Sequence, residues 1–374
     1  MMTVMLLILA AILAIMPATA QPQPVECPLP PYQLPLLAPE RAFVDEAGDV
    51  VISGVDTPFN LPDGLRARQL LWSDDGKVLL VLATDRFFVG VFAYKDGEMT
   101  QILTHETLMS VRTEDFRDAV SLMNPQFVPG THTVLFNTEV STDAEGIYFE
   151  IPLDLWALDL NSGILSELLP YGEAGQFYVA PDGQSIVLMA HDTIRVTDTR
   201  GRNPVVLFEG AVAIGLGESV MYPELVWDAE AEVPTFRTLL TPYHDPNTGR
   251  FDSPFVVYEV TLGSEPAVEE LFSGQQAFFP SITLSPDGYR VAEWRWQDPA
   301  NPKTVDLRIT SADGPSDEAG TAPVVLTTFD VPQGVAPFVQ WDDATHIRYG
   351  YFVPDGRADW RIDLCGEIVE LVTN

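Results

Sequence analysis

Beyond residue 64 the chain is written in short apolar runs, many alternating with polar residues, each closed by a cluster of Gly, Asp, Asn or Pro. That period and that punctuation predict β-strands joined by tight turns. One pattern returns roughly every fifty residues. It reads Leu71-Trp72-Ser73-Asp74-Asp75-Gly76 before VLLVLA, Phe177-Tyr178-Val179-Ala180-Pro181-Asp182-Gly183 before SIVLMA, and Ile282-Thr283-Leu284-Ser285-Pro286-Asp287-Gly288 before YRVAEWRW. Weaker copies begin at Gln126, Glu224 and Val339. Each copy predicts a hairpin, because Pro-Asp-Gly or Asp-Asp-Gly pre-sets a turn and supplies a residue tolerant of positive φ.

A second hairpin follows each copy, as in VGVFAYKDGEMTQIL, LWALDLNSGILSELL and TIRVTDTRGRNPVVLF. The expectation is six units of four strands. Helical periodicity is nearly absent after residue 20, and its best candidate is THETLMSVRTEDFRDAVSLM, between units one and two. Four-stranded antiparallel units bury both faces only by stacking, which makes the fold all-β and most simply a β-propeller. A β-sandwich is the competing all-β fold, but its strands do not recur in matched groups of four with one turn motif fixed in the group. The Ser285-Pro286-Asp287-Gly288 turn and its variants resemble those of the TolB-like propellers, similar in turn to the propeller domains of prolyl-oligopeptidase-like enzymes. The resemblance covers residues 65 to 374, and the hairpin count gives six blades, with a seventh, incomplete blade as the alternative count. It marks blades and names no ligand.

Residues 1–20 carry an export signal on this reading: an apolar run from Val4 to Met16, then Pro17 and the small-residue triplet Ala18-Thr19-Ala20, with cleavage after Ala20. The run is too short to span a bilayer. Residues 21–64 form a second region, a proline-dense extended leader followed by RAFVDEAGDVVISGVD. The latter predicts one more hairpin, which either caps the ring or lies along the outer edge of a blade. Cys27 and Cys365 are the two cysteines of the chain. In an exported protein they are expected to pair, pinning the leader to the final hairpin; two separate thiols are the alternative.

Charge narrows the partners. Asp and Glu total 54 against 20 Lys and Arg, a net charge of -34. Such a chain repels nucleic acid and anionic lipid and is kept monomeric by self-repulsion.

The search for chemistry returns little. GxSxG, HExxH and CxxC are missing, and His105, His132, His191, His244 and His346 are scattered without metal-ligand spacing. Asp245, Asn247 and Asp252 offer the beginnings of a calcium loop without its terminal Glu, so an Asx turn is the simpler reading and no cofactor is expected. Trp72, Trp227 and Trp341 hold one position in three units, which fits packing better than sugar stacking. Acidic pairs are too abundant to single out a glycosidase site.

The leading expectation is therefore a secreted or periplasmic, non-catalytic propeller that binds a protein, peptide or envelope component. Insertions concentrate in the links from strand two to strand three and between units. They carry Asp143, Glu145, Tyr148, Tyr243, Asp245, Arg250, Asp252 and Asp298, acids and aromatics suited to a cationic or amphipathic ligand. The alternatives are a glycan-cleaving enzyme or lectin with carboxylates at the channel mouth, and a purely structural domain of a cell-surface assembly.

Overall fold

The computed structural model describes residues 41–372 apart from 56, 86–88, 111–118, 142–153, 191, 210–213, 217–218, 241–253, 276–281, 299–302, 313–322, 333–336, 354–355 and 365–368. A hairpin comes first, β1 (Ala42–Val44) with β2 (Val50–Ile52). Sheet one is β3 (Arg66–Trp72), β4 (Val78–Thr84), β5 (Val89–Lys95) and β6 (Glu98–Leu103). Sheet two is β7 (Ala119–Phe127), β8 (Thr133–Ser141), β9 (Leu155–Asp159) and β10 (Ile164–Leu169). Sheet three is β11 (Gln176–Val179), β12 (Ser185–Met189), β13 (Thr193–Asp198) and β14 (Val205–Glu209). A small hairpin follows, β15 (Ile214–Leu216) with β16 (Ser219–Met221). Sheet four is β17 (Leu225–Asp228), β18 (Thr235–Leu240), β19 (Pro254–Thr261) and β20 (Ala267–Gln275). Sheet five is β21 (Ile282–Leu284), β22 (Arg290–Trp296), β23 (Thr304–Ser311) and β24 (Val324–Asp330). Sheet six is β25 (Pro337–Trp341), β26 (His346–Val353), β27 (Gly356–Asp363) and β28 (Val369–Val372).

Every one of these six sheets is an antiparallel meander whose strands pair in chain order, the blade of a β-propeller. Blades one to four with the β1–β2 hairpin form one compact unit, and blades five and six another. The hairpin units read from the sequence coincide with the blades, and each recurring Asp-Gly turn joins a first strand to a second. The β15–β16 hairpin was not anticipated.

The turn motif has a local cause. Gly76, Gly183 and Gly288 stand at φ of +65°, +66° and +77°, where a side chain is strained. Before the first of them, the buried Ser73 hydroxyl accepts from Val78 N at 3.0 Å and donates to Asp75 at 2.8 Å, and Ser285 repeats the first bond with Arg290 N at 2.9 Å. Serine and aspartate therefore recur because they satisfy turn amides that the ladder leaves open.

The second strand of blade one is apolar on both faces. In β4, Val78, Leu80 and Leu82 enter a core with Phe136 and Leu158 of blade two, while Leu79, Val81 and Ala83 enter another with Val50, Ile52 and Leu65. The β1–β2 hairpin thus covers the face of blade one turned away from blade two. It is also tied to the first strand, since Ala67 N donates to the Gly48 carbonyl at 2.9 Å and Arg41 lies 5.9 Å from the Trp72 ring. That backbone tie is with β3.

Of the stretch with the best helical periodicity, His105–Ser110 is helical (α1), residues 111–118 lie outside the described residues, and the AVSLM end belongs to β7, where it pairs with β8. Among the described residues no helix is long and apolar enough to cross a membrane.

Candidate functional site

Strand bounds settle which connection each insertion belongs to. The links from Ser141 to Leu155, from Leu240 to Pro254 and from Trp296 to Thr304 all join a second strand to a third. Links of the other kind, within the first and second hairpins, are mostly tight; the stretch from Ser311 to Val324, between β23 and β24, is the exception. Of the candidate binding residues, Asp298 is described and exposed, just past β22. Asp143, Glu145, Tyr148, Tyr243, Asp245, Arg250 and Asp252 lie outside the described residues, as do the calcium candidate Asn247 and both Cys27 and Cys365.

The exit of the first long link is held by a buried polar knot that sequence reasoning missed. Asp154 is 2% exposed immediately before β9. Its carboxylate accepts from Thr138 N at 2.7 Å, from the Thr138 hydroxyl, and from Trp156 Nε1 at 3.0 Å. Its carbonyl accepts from the Asn137 amide, which also donates to Gly175 O at 3.2 Å. Nearby, Asn124 and Gln126 both donate to Phe177 O, at 3.0 and 2.8 Å, and Gln126 accepts from Val179 N at 3.0 Å. Blades two and three are thereby stitched together. The sequence shows NT within TVLFNTEVS and an Asp ahead of LWALD, and neither is marked there as buried.

Blade five holds two buried carboxyls on one sheet face. Glu293 faces Arg308 in register, and Arg295 faces Asp306. Burial pushes the Glu293 carboxyl up, against the pull of Arg295 and Arg308. Burial also acts on Asp306, but bonds from Arg308 at 2.9 Å, Thr328 at 2.7 Å and Gln297 at 2.8 Å hold it below the usual carboxylate range. Opposed shifts of this kind are the mark of an acid–base pair. Here acids and arginines alternate along the rungs in mid-sheet, an arrangement that neutralises a sheet face.

The aromatic residues pack on one another. Trp294, Phe329, Tyr349, Tyr351 and Trp360 join blades five and six, with Phe329 4.7 Å from Trp294 and Tyr349 stacked on Trp360 at 5.9 Å. Trp341, 7% exposed, donates to the Thr283 carbonyl of the preceding blade at 3.4 Å. Trp72 meets Tyr94, and Trp227 meets Phe236, both edge-on. These contacts are those of a core. No group of three or more His, Cys, Asp or Glu able to hold a metal occurs among the described residues.

No family model and no curated protein matches the chain. Solved structures similar to it include TolB from Acinetobacter baumannii, at 14% identity and a TM-score of 0.37, covering 81% of this chain and 65% of that one. The β-propeller domain of the Trilobed protease from Pyrococcus furiosus is 10% identical over 83% of each chain, with a TM-score of 0.42. Dipeptidyl peptidase 4 of Porphyromonas gingivalis is 13% identical, with a TM-score of 0.47, and is covered over 47% of its length against 83% here. The chain thus spans about two thirds of TolB and under half of the peptidase, and no residue role passes from them to it.

Proposed function

We propose that this chain is an extracytoplasmic, non-catalytic propeller that captures a protein, peptide or envelope component through its strand-two-to-three links. The observation that carries the reading is topological: three insertions in three different blades occupy the same kind of connection, which structural economy does not require. The Asp154 knot supports it by giving the first of these links a rigid footing. The acidic surface favours a cationic or amphipathic partner, disfavours nucleic acid and favours a monomer. Export through the Val4–Met16 signal and a Cys27–Cys365 bond belong to the same proposal.

A glycan-acting propeller is the second reading, favoured by the opposed Glu293 and Asp306 carboxyls. Their neutralisation by Arg295 and Arg308 places it behind the first. The deciding experiment measures capture of partners from an envelope extract by the wild type and by Tyr148→Ala combined with Tyr243→Ala, beside a glycan-hydrolysis screen. Binding lost with an unchanged melting temperature supports the proposal. Full capture by the double variant rejects this set of links, and turnover of a glycan abolished by Glu293→Gln replaces the first reading with the second.

A further inference from the structure

The turns of blades one and two opposite the long links meet at one histidine. His132, in the β7–β8 turn, has a side chain 19% exposed and an acceptor against each ring nitrogen. Its Nε2 lies 3.2 Å from Asp75 Oδ2 and 3.3 Å from Asp75 Oδ1, in the β3–β4 turn. Its Nδ1 lies 3.2 Å from Asn161 Oδ1, in the β9–β10 turn. The Lys95 ammonium donates to that same Asn161 atom at 2.7 Å, which identifies it as the amide oxygen. A neutral imidazole has one N–H and serves one of these acceptors, leaving a lone pair facing oxygen at the other. An imidazolium serves both.

We propose that His132 is an acid-tightened clamp between blades one and two, donating from both ring nitrogens when it carries two protons. The charged groups around it are Asp75 and Lys77 from the β3–β4 turn, Lys95 from β5 and Asp159 from the end of β9. Bonds from the Ser73 hydroxyl and then from Lys77 hold the Asp75 carboxyl well below the usual range. The Asn161 amide, with its smaller help from Ser162, likewise outweighs burial and lowers Asp159. Both carboxylates therefore stay ionised in mild acid, where a second proton on the ring finds its acceptor already in place. The second bond is present in acid and lost as the pH rises. A further tie, Gly130 N to Asp74 Oδ2 at 2.7 Å, joins the same two turns.

The test compares melting temperatures of the wild type and His132→Phe at pH 5 and pH 8. The loss on substitution should be larger at pH 5, by about 2 °C for one charge-assisted bond in a chain of this size. Equal losses at the two pH values, or a larger loss at pH 8, overturn the clamp. If the phenylalanine variant does not fold, His132→Gln, which cannot gain a proton, serves the same comparison with the same two outcomes. In the Asn161→Leu background one acceptor is gone, so the gap between the two pH values should shrink; an undiminished gap also overturns the assignment.

Discussion

Replacing Asp154 with Ala removes the acceptor of three donors, the amide and hydroxyl of Thr138 and the indole of Trp156. Thr138 and Asp154 are 0% and 2% exposed and Trp156 is 8% exposed, so water does not readily replace what is lost. An unsatisfied buried donor costs about 1–3 kcal/mol, while truncation also relieves the desolvation of a carboxylate. The net of the two is about 3–5 kcal/mol, the range observed when one partner of a buried polar network is removed. For a chain of 374 residues that corresponds to a melting temperature lower by roughly 5 °C. Asp154→Asn keeps one oxygen and should lose about half as much. Urea unfolding followed by tryptophan fluorescence reads the change, with Trp156 reporting from inside the knot. Asp298→Ala, on an exposed stretch of a link of the same kind, is the control and should stay within about 0.5 kcal/mol of wild type. An Asp154→Ala protein within about 1 kcal/mol of wild type refutes the knot as the footing of the first long link.

Other outcomes follow from single sites. Gly183→Ala forces a Cβ into a residue at φ +66° and to 2.6 Å from the Pro129 carbonyl, so it should destabilise by at least about 2 kcal/mol; a neutral effect in urea denaturation contradicts the turn geometry. Burial raises the Asp343 carboxyl, but bonds from His346 and Thr345 outweigh it and bring it down to about 2. A depressed carboxylate stabilises above its ordinary range and loses that contribution as the pH falls toward 2, so Asp343→Asn should lower the melting temperature at pH 6 and leave it nearly unchanged at pH 2. A Cys27–Cys365 bond predicts that the exported, unreduced chain takes up no alkylating reagent, and labelling of both thiols ends that part of the proposal.

Blades were legible because their cause is local. Period-two alternation and a turn that needs Ser, Asp and Gly at fixed places can be read without knowing what packs on what. The stretch from Thr104 to Met123 was harder to read because its apolar residues fit both a helix face and a strand; its first part is α1, while Ala119–Phe127 pairs with β8. The polar knot and the blade-five ladder stayed hidden for the opposite reason. In a chain with 54 acidic residues, one Asp entering a strand carries no mark of burial until its neighbours from other strands are known. His132 was one of five scattered histidines, and only the proximity of three turns from two blades gave it two acceptors.

Each of the six blades draws its four strands from one stretch of chain, paired in the order in which they occur. Among the described residues no blade takes a strand from the far end of the polypeptide. Loop-closure entropy within a sheet is therefore small, and the contacts that nucleate each one are near neighbours in sequence. Such a chain can acquire structure one sheet at a time as it emerges from a ribosome or a translocation pore. An interruption in synthesis should then leave a row of finished sheets with a single ragged end, not a collapsed whole.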